Sequence, residues 1–529
     1  MNITRIPFQE VPQFSDRDVA YATQDDRLRP FYKYPVTLDA FAEVFADKAK
    51  DETNRQLLVE ELRAQYEQLP PHEKVDQQLN KLVEENTFTV ITAHQPSLFT
   101  GPLYFIYKIC SALNLAQKLN ATYPDKHIIP VFITGGEDHD FEEINHTYLY
   151  GKKLEWQNEE SGAVGAMKTN SLGAVLEELK TVLGDRDTAQ SIYSRLEKAY
   201  TSYGTYGTAT VALVHDLFAD FGLVVADMAR PAFKRAFLPI MREEIFNQPS
   251  QQLVEKAQRE LEAVGFSAQA HAREINFFYL RDGLRERIVQ EDDAYAVLNT
   301  SHRFSQEELE AELEQHPEFF SPNVVMRPLF QEYIFPNLAY IGGGGELAYW
   351  LERKEQFAHF GLNFPMLIRR NSVLWVDKGS QKKLGKVGIA LPDLFGDVEL
   401  FIRDYVEKNS ENELSLAEEL SELEKLFQSI ATKADSIDPT LKKAVLGEHA
   451  RQAKAIENFE GRLRRTEKQR FDTSLNQIRG LKEKLFPGNG LQERRDNFMN
   501  IYLQEGEQLL PTLVKALDPL ENGMVVIEA

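Results

Sequence analysis

Two clusters of polar side chains in the first third of the chain combine residue types that suit anion binding and proton transfer. The sequence HQPSLFTGP occupies residues 94–102, and GGEDHDFEEINH occupies residues 135–146. In the first, His94 follows an apolar run, and Gly101 precedes a helical pattern whose free N–H groups favour a phosphate or carboxylate. The second predicts a polar pocket for an amine or a hydroxyl-rich substrate. Its candidate residues are Glu137, Asp138, His139, Asp140 and His146.

Both clusters also have simpler interpretations. His94 could be a structural histidine whose ring is satisfied within the core. The second cluster contains metal-ligand types, but their spacing matches no known metal motif. We therefore expect no metal site at this cluster and prefer the substrate pocket.

The elements around these clusters predict how they are positioned. FTVITA (88–93) and IIPVFIT (128–134) are typical of buried strands, and an apolar helical pattern separates them. Strand, helix and strand in this order form a βαβ unit, which places ligands at the carboxyl ends of parallel strands. The two clusters are therefore expected at one edge of a parallel sheet.

A third cluster lies in residues 323–357. The strand-like AYI is followed by four glycines at 342–345 and by a helix beginning near Glu346. Successive glycines let a backbone lie directly against a ligand, although a flexible hinge is the alternative. Candidate substrate-binding residues here are Tyr340, Gly343, Glu346 and Tyr349.

Basic residues concentrate in two further segments of this acidic chain. RRNS (369–372) and the expected loop KKLGK (382–386) would both be explained by phosphate binding. FPGNGLQERRDNF (486–498) offers another anion site, although a helix stop and restart would also explain its glycines. The candidate nucleotide-binding residues are Lys382, Lys383, Lys386, Gly488, Gly490 and Arg494.

Whole-chain composition limits the classes of partner. The 529 residues carry a formal net charge of -22, which argues against nucleic acid or an anionic membrane as the main partner. The single cysteine, Cys110, excludes an internal disulfide. No apolar run approaches the length of a membrane span, and the first residues do not resemble a signal peptide. We expect a soluble, cytoplasmic protein.

The C-terminal quarter predicts a helical arm that dimerises. Leucines and other apolar residues from Leu416 to Ile437 repeat at spacings of four and three, which is a heptad pattern. Asp438 and Pro439 then begin a second long helix that reaches Leu485. Two such helices form an antiparallel coiled-coil hairpin, and a homodimer is its simplest use.

The order of these patterns gives a domain plan. We expect N-terminal segments packing on a core that is interrupted by two insertions, then the arm and a C-terminal return. The expected boundaries are 1–87 for an extended segment (1–36) and helices, 88–149 for the first half of the core, 150–202 for an insertion, 203–250 for core, 251–322 for a second insertion, 323–398 for the second half of the core, 399–486 for the arm and 487–529 for a C-terminal helix and tail.

Taken together, these motifs resemble the BshC family. The resemblance rests on HQPSLFTGPLYFIYK (94–108), GGEDHDFEEINH (135–146), RPLFQEYIFPNLAYIGGGGELAYW (327–350), the arm and FPGNGLQERRDNF (486–498). It implies an α/β fold with a Rossmann-like parallel-sheet core, connecting-peptide insertions and a C-terminal coiled coil. The layout would be similar to class I aminoacyl-tRNA synthetases and nucleotidylyltransferases.

The resemblance also implies a reaction, in which cysteine is added to glucosaminyl-malate to form bacillithiol. His94 and Gln95 match the position of a phosphate-handling histidine motif, and the acidic cluster matches the substrate pocket. The second histidine of a His-x-Gly-His pattern is absent, and so is a Lys-Met-Ser-Lys-Ser loop. Either the 369–372 segment or KKLGK would replace that loop.

Amide formation of this kind needs an activated carboxylate and a neutral amine. We expect ATP, with ADP as a related ligand and Mg²⁺ as its counter-ion, to supply the activation. His94 would help to neutralise phosphate charge, and Asp138 or Asp140 would accept a proton from the glucosamine nitrogen. The alternatives are a nucleotidylyltransferase acting on another substrate and a non-catalytic scaffold that binds a nucleotide.

Overall fold

A computed structural model describes all residues from 1 to 529. The chain forms two compact units. The first unit comprises Met1–Leu374 and Gln492–Ile527, and the second comprises Trp375–Leu491 and Glu528–Ala529. No helix is both long enough and apolar enough to span a membrane.

The N-terminal residues fold into short elements and are not simply extended, as the sequence had suggested for 1–36. Ser15 accepts a hydrogen bond from the Asp18 amide and so begins a helix that the aromatic composition obscured. Apolar residues at helical spacing predict one helix over residues 38–69. The structure has two helices there, because Asn54 caps a new start by accepting from the Leu57 amide. The elements are β1 (Asn2–Ile6), α1 (Asp16–Ala22), α2 (Phe41–Lys48), α3 (Arg55–Tyr66) and α4 (Glu73–Lys81).

The next segment contains the predicted βαβ unit and continues to a third core strand. The sequence pattern also predicts helices at 173–183 and 187–200 and a strand ending at Asp227, and the structure confirms all three. The elements are β2 (Thr87–His94), α5 (Tyr104–Thr122), β3 (His127–Thr134), α6 (Phe141–Ile144), β4 (His146–Leu149), β5 (Lys152–Glu155), α7 (Gly173–Leu183), α8 (Asp187–Ser202), α9 (Tyr206–Phe218) and β6 (Val224–Asp227).

Residues 251–320 differ from their sequence interpretation, which predicts a helix, one short strand (271–280) and another helix. Strand pairing begins at Phe277 and turns at Asp282 and Gly283, where Gly283 adopts a φ of 71°. An Asp-Gly pair suits such a hairpin turn, and the alternating pattern after it was missed. The elements are α10 (Pro231–Asn247), α11 (Pro249–Ala263), β7 (Phe277–Arg281), β8 (Leu284–Glu291), β9 (Ala294–Val297), β10 (Arg303–Phe304), α12 (Gln306–Gln315) and β11 (Phe320–Pro322). The strands form an antiparallel sheet in the order β10-β9-β8-β7-β11.

The last core elements include β12 and β13, the two strands that complete a five-stranded parallel sheet. They are α13 (Arg327–Ile334), β12 (Asn337–Gly342), α14 (Gly344–Trp350), α15 (Lys354–His359), β13 (Met366–Arg369) and β14 (Val373–Val376). The strand order is β13-β12-β2-β3-β6, and all four pairings are parallel. From β2, the chain first adds β3 and β6 on one side of the sheet. It later adds β12 and β13 on the other side. The predicted Rossmann-like core is confirmed, with a topological switch point between β2 and β12.

The second unit is helical. Its elements are α16 (Lys378–Val387), α17 (Val398–Asn409), α18 (Ala417–Asp435), α19 (Pro439–Arg470) and α20 (Asp472–Leu485). The helices α18 and α19, which we call the helical arm, confirm the predicted hairpin and its capping residue Asp438. Two details were wrong: the second long helix ends at Arg470, and KKLGK lies within α16, where Asp377 caps the helix.

The chain ends with elements of the first unit's C-terminal segment. They are α21 (Met499–Glu505), α22 (Leu509–Ala516) and β15 (Met524–Glu528). β15 lies between β1 and β14 in a three-stranded sheet. The segment from 492 to 498 that precedes α21 has little regular structure, and it returns to the parallel sheet, where it completes the site described below.

Candidate active site

A cavity of about 480 Å³ lies at the carboxyl ends of the parallel strands. Residues that end β2, β3, β6 and β12, or directly follow them, line it, so that it surrounds the switch point where such sheets bind ligands. Eight of the predicted site residues line the cavity: His94, Gln95, Glu137, Asp138, Gly343, Glu346, Tyr349 and Arg494.

His94 lies at the centre of this arrangement and is uncharged. Its Nδ1 lies 2.9 Å from the Gln95 carbonyl oxygen, so Nδ1 donates and Nε2 accepts from the Tyr104 hydroxyl at 3.1 Å. Burial, followed by the nearby Lys108 charge, lowers the pKa of His94 to about 4. Both ring nitrogens of His94 are thus engaged within the protein, and the positive charge expected from it comes from other side chains.

The turn that follows His94 has an unusual backbone. Phe99, Thr100 and Gly101 have φ values of 52°, 70° and 62°, and two of these three carry side chains that disfavour this region. Buried Asn497 stabilises the turn, because its Nδ2 donates to the carbonyl oxygens of Phe99 and Gly101, both at 2.8 Å. The Phe99 amide also donates to the Tyr200 hydroxyl at 3.2 Å. Side chains from distant parts of the chain therefore fix the shape of this turn.

Residues 135–143, which we call the acidic turn, form the acidic part of the cavity. Glu137 pairs with the fully buried ammonium of Lys234 at 2.5 Å. Asp138 accepts from Gln95 Nε2 at 2.6 Å and from the His139 amide at 2.7 Å. Burial raises the pKa of Asp138, but these hydrogen bonds and the Arg285 charge outweigh it, so the pKa is lowered overall. Asp138 is therefore ionised, and contacts with neighbouring groups hold both carboxylates in place.

The backbone of the acidic turn is fixed by a glycine-containing segment of the 150–202 insertion, which its polar, glycine-rich sequence predicts to close over a substrate. The Val164 amide donates to the Asp138 carbonyl at 2.7 Å, and the Gly165 amide donates to the Gly136 carbonyl at 2.7 Å. A Cβ at Gly165 would lie 2.8 Å from the Gly136 oxygen, so a side chain there would push the segments apart. These glycines thus allow close packing behind the cavity.

Arginine side chains form the basic part of the cavity. Arg370 is buried and pairs with Glu493 at 2.9 Å. Arg327 donates to the Tyr349 hydroxyl at 3.1 Å, and no carboxylate lies within 4.0 Å of its guanidinium group. Arg494 also lines the cavity without a carboxylate partner. Arg327 and Arg494 therefore offer unused donors to an anion.

Glu346 connects the glycine turn to the sheet. Its carboxylate accepts from Lys108 Nζ at 2.7 and 2.8 Å, from the Tyr340 hydroxyl at 2.8 Å and from the Gly343 amide at 2.9 Å. Burial opposes ionisation, but Lys108 and the hydrogen bonds lower the pKa of Glu346 to about 2. Only glycine fits at position 344, because a Cβ there would collide with the carboxylate of Asp18.

Five predicted site residues lie outside the cavity, for physical reasons. Asp140 caps α6 by accepting from the Glu143 amide at 3.2 Å, and Gly101 is buried in the turn beside Asn497. His139 points to Arg285 Nη1 at 2.6 Å, and His146 Nδ1 lies 3.0 Å from the Asn145 amide oxygen in β4. Tyr340 is fully buried, where its ring stacks on Trp350 and only its hydroxyl supports Glu346.

The remaining predicted residues belong to the second unit. Lys382, Lys383 and Lys386 lie on α16, and all three are exposed. Gly488 and Gly490 lie in a tight turn after α20, where Gly488 adopts a φ of 60°. The end of α20 explains these two glycines without a ligand, which agrees with the alternative interpretation given for this segment in the sequence analysis.

Several cavity residues were not singled out as site residues from the sequence. Arg327 and Arg370 were noted only as local positive charge, and Asp227 only as a strand end. Tyr104, Arg285 and Asn323 also line the cavity and have no role predicted from the sequence; the same holds for Lys108, which does not line the cavity but pairs with Glu346. Lys108 carried a usable signal, because a lysine among the apolar residues of α5 needs a buried partner.

The donor set indicates which ligands this cavity fits. Unpaired guanidinium groups suit the oxygens of phosphates or carboxylates, and the acidic turn suits an amine. No group of three His, Cys, Asp or Glu side chains is arranged to hold a metal ion anywhere in the chain. Counter-ions that arrive with a phosphate ligand need no such group.

Comparisons with known proteins agree on one family. The model described as "Bacillithiol biosynthesis BshC, N-terminal Rossmann-like domain" matches residues 1–371, and the one described as "Bacillithiol biosynthesis BshC, C-terminal coiled-coil domain" matches residues 373–529.

Relatives named "Putative cysteine ligase BshC" match over nearly their full length. The protein of Flavobacterium johnsoniae is 40% identical over 524 residues, which is 99% of each chain. That of Flavobacterium psychrophilum is 37% identical over 526 residues, again 99% of each chain. That of Christiangramia forsetii is 36% identical over 528 residues, or 99% of this chain and 98% of its own. The chain therefore belongs to the BshC family of bacillithiol biosynthesis.

Proposed function

We propose that the protein is a ligase that joins the carboxyl group of cysteine to the amine of glucosaminyl-malate, forming the amide bond of bacillithiol. One observation carries the proposal: a single cavity is lined by carboxylates in one part and by arginines without carboxylate partners in another. Glucosaminyl-malate has the same division of charge, with an amine on its sugar and two carboxylates on its malate. The name of the relatives, cysteine ligase, agrees with this reaction.

The acidic part of the cavity would receive the amine. Carboxylates attract the protonated amine and orient it, and one carboxylate must then accept a proton so that the neutral nitrogen can attack. Gln95 assists by holding Asp138 at 2.6 Å and by reaching Glu143 at 3.2 Å, which keeps the two carboxylates in place. The uncharged His94 orients the hydroxyl of Tyr104, which also lines the cavity.

The basic part would bind anionic groups. Arg327 and Arg494 can each donate several hydrogen bonds to a carboxylate or phosphate, and burial of Arg327 strengthens such bonds by excluding water. A nucleoside triphosphate such as ATP, accompanied by Mg²⁺, would supply the activation that a free carboxylate lacks. The residues of this chain would hold and orient its phosphates.

Product formation tests the proposal directly. Purified protein is incubated with glucosaminyl-malate, cysteine and Mg-ATP, each omitted in turn, and bacillithiol is measured by mass spectrometry. We expect bacillithiol only in the complete mixture. Cleavage of ATP to pyrophosphate without any dependence on cysteine would instead favour the nucleotidylyltransferase. A folded, nucleotide-binding protein that forms no product would favour the scaffold.

A pair of arginine variants connects the product to the cavity. Arg327→Met should lower kcat/KM roughly 10- to 100-fold, because charge-assisted hydrogen bonds contribute about 1.5–3 kcal/mol each. Arg259→Met on α11 is the control. The guanidinium group of Arg259 is exposed, and its contact with Glu255 is long, at 3.9 Å. Equal activity in the two variants would show that the reaction does not depend on Arg327 and would contradict its assignment to this cavity.

We also propose a homodimer formed through the helical arm in the cytoplasm, where ATP is available. The arm exposes large apolar side chains, among them Ile437, Leu441, Phe459 and Leu463. Exposed apolar surface of this extent is typical of a protein interface. Sedimentation of the purified protein should give twice the mass of the chain, and Phe459→Glu with Leu463→Glu should give the monomer.

A further inference from the structure

Asp227 is a cavity residue with an unusually well-fixed backbone. It ends β6, the edge strand of the parallel sheet. Gln65, which is buried on α3, accepts from the Asp227 amide at 2.9 Å and donates to the Val225 carbonyl at 2.8 Å. The hydroxyl of Tyr66 accepts from the Val225 amide at 2.8 Å. Side chains of α3 thus replace a neighbouring strand and hold Asp227 in position.

The carboxylate of Asp227 is only partly used. Oδ1 accepts from the Ala229 amide at 3.0 Å, and this is its one side-chain hydrogen bond. No ammonium or guanidinium group lies within 4.0 Å of it. One carboxylate oxygen is therefore available to a ligand in the cavity.

The other four carboxylates that line the cavity are engaged. Glu137 pairs with Lys234, and Glu346 pairs with Lys108. Asp138 accepts from Gln95 and from two backbone amides, and Glu143 accepts from Gln95 at 3.2 Å. An engaged carboxylate loses hydrogen bonds or an ion pair when it takes up a proton, which makes it a poor base. Asp227 loses least.

The surroundings of Asp227 raise its pKa on balance. Burial raises its pKa first of all, and the Glu137 carboxylate on the acidic turn raises it further. The Ala229 amide and the cations Arg230 and Lys234 at the start of α10 lower it, but the net pKa is raised. Arg230 and Lys234 form ion pairs with Glu61 and Glu137, respectively, and not with Asp227. Asp227 therefore accepts a proton more readily than Asp138, whose pKa is lowered.

We propose that Asp227 is the catalytic base of the ligase, taking the place expected for Asp138 or Asp140. This assignment rests on the proposed function. The amine nitrogen attacks the activated carbonyl carbon of cysteine, and a C–N bond forms. The bond from that carbon to its leaving phosphate group breaks, and the phosphate departs with the electron pair. The proton lost by nitrogen passes to the available oxygen of Asp227.

Asp227→Asn is the central test, because the amide oxygen still accepts from the Ala229 amide and preserves the turn. We expect kcat to fall roughly 10²- to 10⁴-fold with KM changed less than about threefold. In the wild-type protein kcat should decline as pH falls through the pKa of Asp227, and this acidic limb should be absent in the variant. Asp227→Ala should recover activity when formate is added, because formate can occupy the vacated space and accept the proton.

Asp125→Asn is the matched control. Asp125 precedes β3 at the opposite end of the sheet, where its exposed carboxylate pairs with Lys126 at 3.0 Å. It should retain wild-type kcat and pH dependence. A raised KM with unchanged kcat in Asp227→Asn, or no rescue of Asp227→Ala by formate, would overturn the assignment of the base while leaving the ligase intact. Absence of bacillithiol with the wild-type protein would overturn both.

Discussion

Charged side chains serve different ends around the cavity and along the helical arm. Near the cavity, the Lys108 side chain is fully buried beside Glu346, and Arg370 and Glu493 are 4% and 1% exposed. In the arm, Arg451 and Glu448 are 76% and 41% exposed. A buried charge that loses its partner keeps its desolvation cost, whereas an exposed charge is rehydrated. The same residue types therefore fix a site in one unit and form a solvated surface in the other.

The strongest test of this comparison is Glu346→Gln. The change leaves the buried ammonium of Lys108 without its counter-charge, and it should lower the free energy of unfolding by about 3 kcal/mol. Urea unfolding followed by circular dichroism measures the loss. The double variant Lys108→Met, Glu346→Gln should regain a large part of it, since no buried charge remains; no recovery would mean that packing dominates at this position.

A smaller effect should follow from Asn497→Leu. The variant removes the two hydrogen bonds to the Phe99 and Gly101 carbonyls and leaves these buried acceptors beside a strained turn. We expect a loss of about 2 kcal/mol in unfolding free energy, together with lower ligase activity. Asn500→Leu on α21 is a suitable control, because its side chain is only half-buried and accepts one hydrogen bond, from the Tyr150 amide. Equal losses in the two variants would contradict a special role for Asn497.

The pH dependence of stability should reveal the buried state of His94. Its pKa of about 4 in the folded protein lies below the ordinary value of 6.5. Between these values the unfolded chain binds a proton that the folded protein does not, so stability falls as pH decreases from about 6.5 towards 4. From pH 7 to pH 5 we expect about 1–2 kcal/mol from this group. His94→Gln should lose that part of the pH dependence in urea unfolding at several pH values.

The smallest effect is expected in the arm. Glu448→Ala removes the partner of Arg451, but both groups are exposed and solvent replaces the interaction. The thermal midpoint should not change measurably by calorimetry. A large shift here would break the comparison and show that the arm's exposed ion pairs contribute to stability as the cavity's buried pairs do.

Local patterns predicted those parts of the fold and site that depend on neighbours in sequence. The apolar run before His94, the glycines before Glu346 and the heptads of the arm each indicated an element that the structure contains. The rule that ligands bind at the carboxyl ends of parallel strands correctly predicted that Gln95, Glu137 and Asp138 lie at one cavity. The same rule applied to β6 would have selected Asp227.

Contacts between distant residues could not be predicted in this way. Asn497 reaches a turn about 400 residues earlier in the chain, and no local pattern marks that pairing. The hairpins after Phe277 were missed because charged residues interrupt their alternation, so the turn at Asp282 and Gly283 was the stronger signal. Asp140 was misplaced because helix capping and catalysis favour the same residue type.

The position of Asn497 and Arg494 also has a consequence for biosynthesis. A ribosome releases the chain from its N-terminus, so the parallel sheet is available well before residues 492–498 emerge. Until then the turn after His94 lacks its buried amide, and the cavity lacks one of its arginines. A nascent or prematurely terminated chain would thus display a sheet but no working site. Translation itself therefore delays assembly of the cavity until residues 492–498 have emerged.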